Sequence, residues 1–137
     1  MVGRNWPAAR DIVFCLDRIQ DIRLSSHTFE YPEEFDPQEY FNGCIGVIPG
    51  DGCDIEKIKI KVSANQANYL RDLPLHHSQQ EIEQTAEYSI FELHVRPTYD
   101  FQQELLWNGE DLEVLEPLWL RKEITGKVKR MRNKYKD

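Results

Sequence analysis

His76, His77, Ser78 and Gln79 form the one run in which a hydroxyl, imidazoles and an amide side chain stand together. A serine nucleophile needs a histidine to take its proton and a third group to orient that histidine. On an extended strand neighbouring side chains point to opposite faces, so His77 and Ser78 would be badly placed for one another. The run therefore reads as a polar edge or a surface contact site, and the chain is not expected to be an enzyme. Arg18 is the second candidate. It follows an apolar stretch and lies between Asp17 and Ile19, where its guanidinium would either hold an anion bidentately or pair with Asp17 or Asp21. The four histidines and the cysteines Cys15, Cys44 and Cys53 lack metal-ligand spacing. Residues 51–54 lack the pattern of a calcium loop, and residues 43–52 contain no lysine for a phosphate loop. No metal or other cofactor is expected.

These side chains need elements to hold them. Ile12, Phe14 and Leu16 alternate in a way that predicts a half-buried strand, with residues 22–28 as its pairing partner. Residues 31–41 carry two prolines and several acids, which predicts an extended linker ending in one helical turn. Asp36 would cap that turn, with Pro37 in its first position. Glycines then crowd residues 43–52 and place a domain boundary near residue 54. Beyond it, Ile58, Ile60 and Val62 alternate with lysines, predicting a strand with one wet face. Ser63 would cap a helix over 64–71, and residues 73–81 would form a polar edge strand. Residues 88–95 read as a stronger strand, with Phe91, Leu93 and Val95 on one side. Pro97 opens a helix to about Trp107, in which Asp100 and Gln103 have capping-box spacing. Asn108-Gly109 ends it, Leu112 to Leu115 supply a last strand, and Glu116-Pro117 opens a terminal helix. Leu120, Ile124, Val128, Met131 and Tyr135 lie along one stripe of that helix. Trp107 and Trp119 flank the last strand and read as core. The order β-α-β-β-α-β closes most simply as an α+β, ferredoxin-like split sheet covered by helices on one face.

Charge is unevenly spread over the 137 residues. Residues 121–137 hold eight of the seventeen Lys/Arg and only two acids, a net of +6 that leaves -13 on the rest. An acidic body is a poor nucleic-acid binder by itself, because phosphate affinity comes from clustered cations. The basic end reads either as a nucleic-acid contact or as a solvated face paired with the acidic body. No apolar run approaches the roughly 20 residues that cross a bilayer, and no signal-peptide core is evident. An odd count of three cysteines without a C-x-x-C pair argues against a disulfide framework, so reduced thiols and a cytoplasmic setting without membrane partners are expected.

Phe14-Cys-Leu-Asp-Arg-Ile19, then Phe35-Asp36, Tyr40-Phe41 and Gly46, resembles the closing part of a WYL domain. Leu75-His-His-Ser-Gln79, then residues 105–109, Val114-Leu-Glu-Pro117 and Leu120-Arg121, resembles the WCX extension that lies C-terminal to WYL domains. The resemblance implies a bacterial transcriptional regulator with an N-terminal winged helix-turn-helix, a ligand-sensing WYL domain of Sm/SH3-like barrel fold, and an extension that contributes to dimer contacts or to regulation. It implies two parts here: residues 1–53 as the C-terminal remnant of the WYL domain and linker, and residues 54–137 as the ferredoxin-like extension. The Trp-Tyr-Leu signature is absent, and Val2-Gly3 resembles the residues just downstream of that signature, so the chain reads as the C-terminal piece of such a regulator. Arg18 matches the family's Arg in Leu-Asp-Arg-Ile, while Cys15 stands where the family usually has Arg. The ligand-binding residues expected on this basis are Arg18, His76, His77, Gln79 and Arg121. The expected partners are further copies of the chain and a small-molecule or nucleotide effector, with DNA reached only through a missing N-terminal domain. The alternative is a direct single-stranded nucleic-acid-binding module using Arg18, aromatic stacking and the basic tail.

Overall fold

The structure is a computed structural model that describes every residue except 6–9, 31, 51 and 137. Tyr31 of the predicted linker, Asp51 of the glycine-rich loop and Asp137 thus lie outside the described residues. The chain is mixed α+β and forms two compact units, Met1–Phe41 and Asn42–Asp137.

In the first unit, β1 (Val2–Asn5) pairs antiparallel with β2 (Arg10–Val13). The pairing extends to Met1 and Phe14, which exchange backbone hydrogen bonds of 2.7 and 3.1 Å. The expected partner, residues 22–28, is corrected by the structure. Ile22 and Leu24 are 85% and 103% exposed, so that stretch has no face to bury, and β2 pairs with the segment preceding it. The strand also ends sooner than the alternation suggests, because Leu16–Arg18 closes into a single 3-10 turn. The predicted helical turn is present as α1 (Pro37–Tyr40). Asp36 Oδ1 accepts the Gln38 N–H at 2.8 Å, and Pro37 takes the first position, where no N–H is needed.

The second unit is built on four antiparallel strands: β3 (Glu56–Ser63), β4 (Gln80–Gln84), β5 (Tyr88–Val95) and β6 (Leu112–Glu116). Their order across the sheet is β4-β5-β3-β6, so the first and third strands lie in the middle. The helices α2 (Ala64–Asp72), α3 (Tyr99–Trp107) and α4 (Leu118–Lys134) come after β3, β5 and β6. One core joins these layers. Ile58, Ile60 and Val62 of β3 and Phe91, Leu93 and Val95 of β5 point to one face. Ala67 and Leu70 of α2, Phe101 and Leu105 of α3, Leu120 of α4 and Val114 of β6 close over them. Burying one aliphatic or aromatic side chain of this size contributes about 1.5–3 kcal/mol, so this cluster dominates the unit's stability.

Local signals in this half translate directly. Ser63 caps α2 by accepting the Gln66 N–H at 3.3 Å, and Asn108-Gly109 ends α3 with Gly109 at φ +58°. Two expectations need correction. Residues 73–79 form a turn rather than the start of an edge strand, and β4 begins only at Gln80. Pro74 has no N–H to give a ladder, and the Gln79 side chain ties the turn to itself instead. The cap of α3 is Thr98, whose hydroxyl faces the Phe101 N–H at 3.5 Å, and not Asp100. Asp100 sits inside the first turn, and its Oδ2 accepts the backbone N–H groups of Val47 and Ile48 at 3.0 and 3.1 Å.

The glycine-rich loop is consequently part of the second unit. Arg96 holds both its ends: its N–H reaches Gly43 O, its Nε reaches Asn42 O, and its Nη1 reaches Cys53 O. Gly46 stands at φ +85°, and a Cβ there would overlap the Asp100 carboxylate. Trp107 and Trp119, expected in the core, are 86% and 42% exposed. Trp107 lies two residues past Leu105, about 200° around α3, so when Phe101 and Leu105 face inward it faces out.

Candidate functional site

The predicted ligand residues are spread over three places. His76, His77 and Gln79 lie on the turn 73–79, between α2 and the edge strand β4. Arg121 lies on α4, bound to β6 at the opposite edge of the sheet. Arg18 belongs to the first unit, in the 3-10 turn, where it is exposed and makes no ion pair with Asp17 or Asp21 among the described residues.

The turn is built from its own side chains. Gln79 Nε2 donates to Leu70 O at 2.7 Å, at the end of α2, and its Oε1 accepts the Leu75 N–H at 3.0 Å. Both ends of this amide are thus used to close the turn. Ser78 Oγ accepts the His94 N–H at 2.9 Å. Its single proton is shared by two acceptors, the His94 carbonyl oxygen at 3.1 Å and His76 Nδ1 at 2.8 Å. The Ser78 N–H also points at His76 Nδ1, at 3.2 Å, which requires a lone pair on that nitrogen. The His76 and His77 rings lie against each other at a tilt of 40°, with centroids 3.9 Å apart. Partial burial, and then the His77 ring, hold the His76 imidazole below its ordinary range. The sequence set His77 against Ser78, yet it is His76 that meets the hydroxyl. Only a turn brings residues two apart onto one side in this way. The hydroxyl is bound to a backbone on β5, so its position is that of a bracket joining the turn to the sheet.

The sheet face away from the core carries the lysines of β3, each with a partner on a neighbouring strand. Lys57 pairs with Glu92 at 3.6 Å, and Lys59 with Glu116 at 3.2 Å. Lys61 stands 4.0 Å over the Tyr88 ring. His94, next to the turn, is 3.4 Å from Glu92. The Tyr88 hydroxyl donates to Glu83 at 2.7 Å, and that bond to a carboxylate raises its pKa. The face presents matched charges, so an anion binding there would compete with Glu92 and Glu116 for the lysines.

Two further pairs had no signal in the sequence. Arg71 on α2 grips Glu81 on β4 with two bonds, of 2.9 and 2.5 Å, and also donates to the buried Ser89 hydroxyl at 3.0 Å. The bond from Arg71 is the chief cause that lowers the Glu81 pKa. Arg121 donates to Val114 O at 2.7 Å and to Glu113 at 2.5 Å, which occupies much of its guanidinium. Ten and eight residues separate these partners, and neither spacing has a local pattern to mark it.

The basic tail pairs with the acidic body only at its start, where Arg121 meets Glu113. Among the described residues, Lys129, Arg130, Arg132 and Lys134 make no ion pair, and Lys127 alone reaches inward, to Gln102 Oε1 at 2.6 Å. The reason is length. From Val128 onward the helix is exposed on every side, so it has run past the body it would pair with. Cys15 is exposed, and Cys44 and Cys53 are half-buried. Among the described residues, no group of three or more His, Cys, Asp or Glu is arranged to hold a metal, and no helix is long and apolar enough to cross a membrane.

Fold and site together define an antiparallel α+β sheet domain with a histidine-bearing turn bracketed to one edge and a charge-matched open face. Residues 54–132, more than half of the chain, match the WCX domain family, and the chain belongs to that family. The WCX domain is the C-terminal extension of WYL-type transcriptional regulators, which is the context this membership supplies. No curated protein matches the chain.

Proposed function

We propose that this chain is a regulatory, ligand-sensing and oligomerisation module of a bacterial helix-turn-helix transcriptional regulator. The single observation that carries the reading is the WCX match over 54–132, preceded by a segment that resembles the end of a WYL domain. In this reading residues 1–53 are the end of that barrel with its linker, and residues 54–137 are the extension. DNA contact belongs to a winged-helix domain outside these residues, and the chain performs no catalysis of its own. A nucleotide or other small molecule would bind and shift the arrangement of protomers, and that shift would be passed to the DNA-binding domains. The acidic body supports this division of labour, since its charge disfavours phosphate contact. Fluorescence anisotropy of labelled duplex DNA titrated with the chain tests it. No binding at physiological salt is expected. Tight binding that weakens steeply with salt would overturn the view that the chain only regulates.

A further inference from the structure

The end of α4 is a surface with a definite chemistry. Leu120 is fully buried and Ile124 packs on the core, but the same stripe continues as Val128, Met131 and Tyr135, which are 50%, 47% and 86% exposed. At 100° per residue, Arg130 and Lys134 run along one side of this stripe and Arg132 along the other. None of these cations has an ion-pair partner among the described residues. Two such helix ends would repel each other, so a partner covering the stripe must bring carboxylates with apolar side chains between them. The chain contains a segment of that kind. There is no Lys or Arg between Arg23 and Lys57, and Glu30, Glu33, Glu34, Asp36 and Glu39 fall within ten residues. These acids are exposed, and Phe29 beside them is 82% exposed.

We infer that the free end of α4 docks the acidic segment 29–39 of a second copy of this chain. Each copy carries both halves of the contact, so a two-fold dimer makes it twice. Exposed ion pairs are individually weak, and the contact depends on several of them acting around a desolvated apolar stripe. The inference rests on the reading of the chain as an oligomerisation module and names the surface that performs it.

Sedimentation velocity over a concentration series tests it, on the whole chain and on two charge-reversed variants. One is Arg130→Glu/Arg132→Glu/Lys134→Glu, and the other is Glu30→Lys/Glu33→Lys/Glu34→Lys. The wild type is expected to dimerise reversibly, more weakly as salt rises. Each variant alone should dimerise at least about tenfold more weakly, and a mixture of the two should recover the affinity. Circular dichroism should show the same melting for all three, since every substituted side chain is exposed. A wild-type dimer that both variants leave unchanged overturns this surface and leaves the module reading standing. A wild type that stays monomeric overturns both. If the α4 variant loses binding to labelled oligothymidylate while dimerisation is unaffected, the helix end belongs to nucleic acid and the inference fails.

Discussion

Ser78 Oγ lies within hydrogen-bond distance of both the N–H and the carbonyl oxygen of His94, at 2.9 and 3.1 Å. One side chain thus satisfies both polar groups of a strand residue where the edge strand has not yet begun. A hydrogen bond of this kind contributes about 0.5–1.5 kcal/mol net. Ser78→Ala is accordingly expected to lower the unfolding free energy by that amount in urea titrations. Ser78→Thr keeps the hydroxyl and should recover most of the loss. Unchanged stability in the alanine variant would refute the bracketing role.

His76 gives the same turn a pH dependence. Its pKa in the fold lies below the ordinary 6.5, so as pH falls the unfolded chain takes up the proton first. The stability held by the neutral ring is complete above about pH 6.5 and is lost as pH drops from there to the folded value. His76→Gln should flatten that part of the stability-against-pH curve. An NMR titration placing the His76 pKa at or above 6.5 would contradict this.

Asp100 anchors a loop 53 residues away in sequence by accepting two backbone N–H groups. Asp100→Ala should cost about 1–3 kcal/mol, the usual figure for buried or charge-assisted bonds left open. Gly46→Ala should cost a similar amount, about 1–3 kcal/mol, because it imposes a strained φ and displaces the same carboxylate. Limited proteolysis should cut residues 42–53 faster in both variants, and an unaltered cleavage rate would count against the anchor.

The stripe on α4 should divide sharply in mutagenesis. Leu120→Ala opens the core and is expected to cost about 2–5 kcal/mol. Val128→Ala, two turns further on, should stay within about 0.5 kcal/mol, as exposed substitutions do. Measured at a concentration where the chain is monomeric, equal effects at the two positions would mean that the helix end is covered within the monomer.

Arg71 and Glu81 should be coupled. Arg71→Lys keeps the charge but loses the paired geometry and the bond to buried Ser89, so it should lower Tm. In a double-mutant cycle with Glu81→Gln the two losses should not add. Additive losses would show that the two side chains act separately.

Most of the element order was legible in the sequence because the signals that set it are local. Lysines alternating with Ile58, Ile60 and Val62 over 57–62 admit only a strand with one wet face, and Ser63, Asp36 and Asn108-Gly109 act on backbone groups within three residues of themselves. The group that lies opposite a side chain is not a local matter, and only the tertiary structure decided it. The stripe from Leu120 to Tyr135 has one period throughout, yet only its first half has a core beneath it. Trp107 and Trp119 have the composition of core residues, but the turn of the helix and the end of the strand leave them outside. Asp100 had the spacing of a cap, but Thr98 already held the helix end and freed the carboxylate for a distant loop. Periodicity shows which side chains share a face. Whether that face is buried depends on how far the opposing layer reaches.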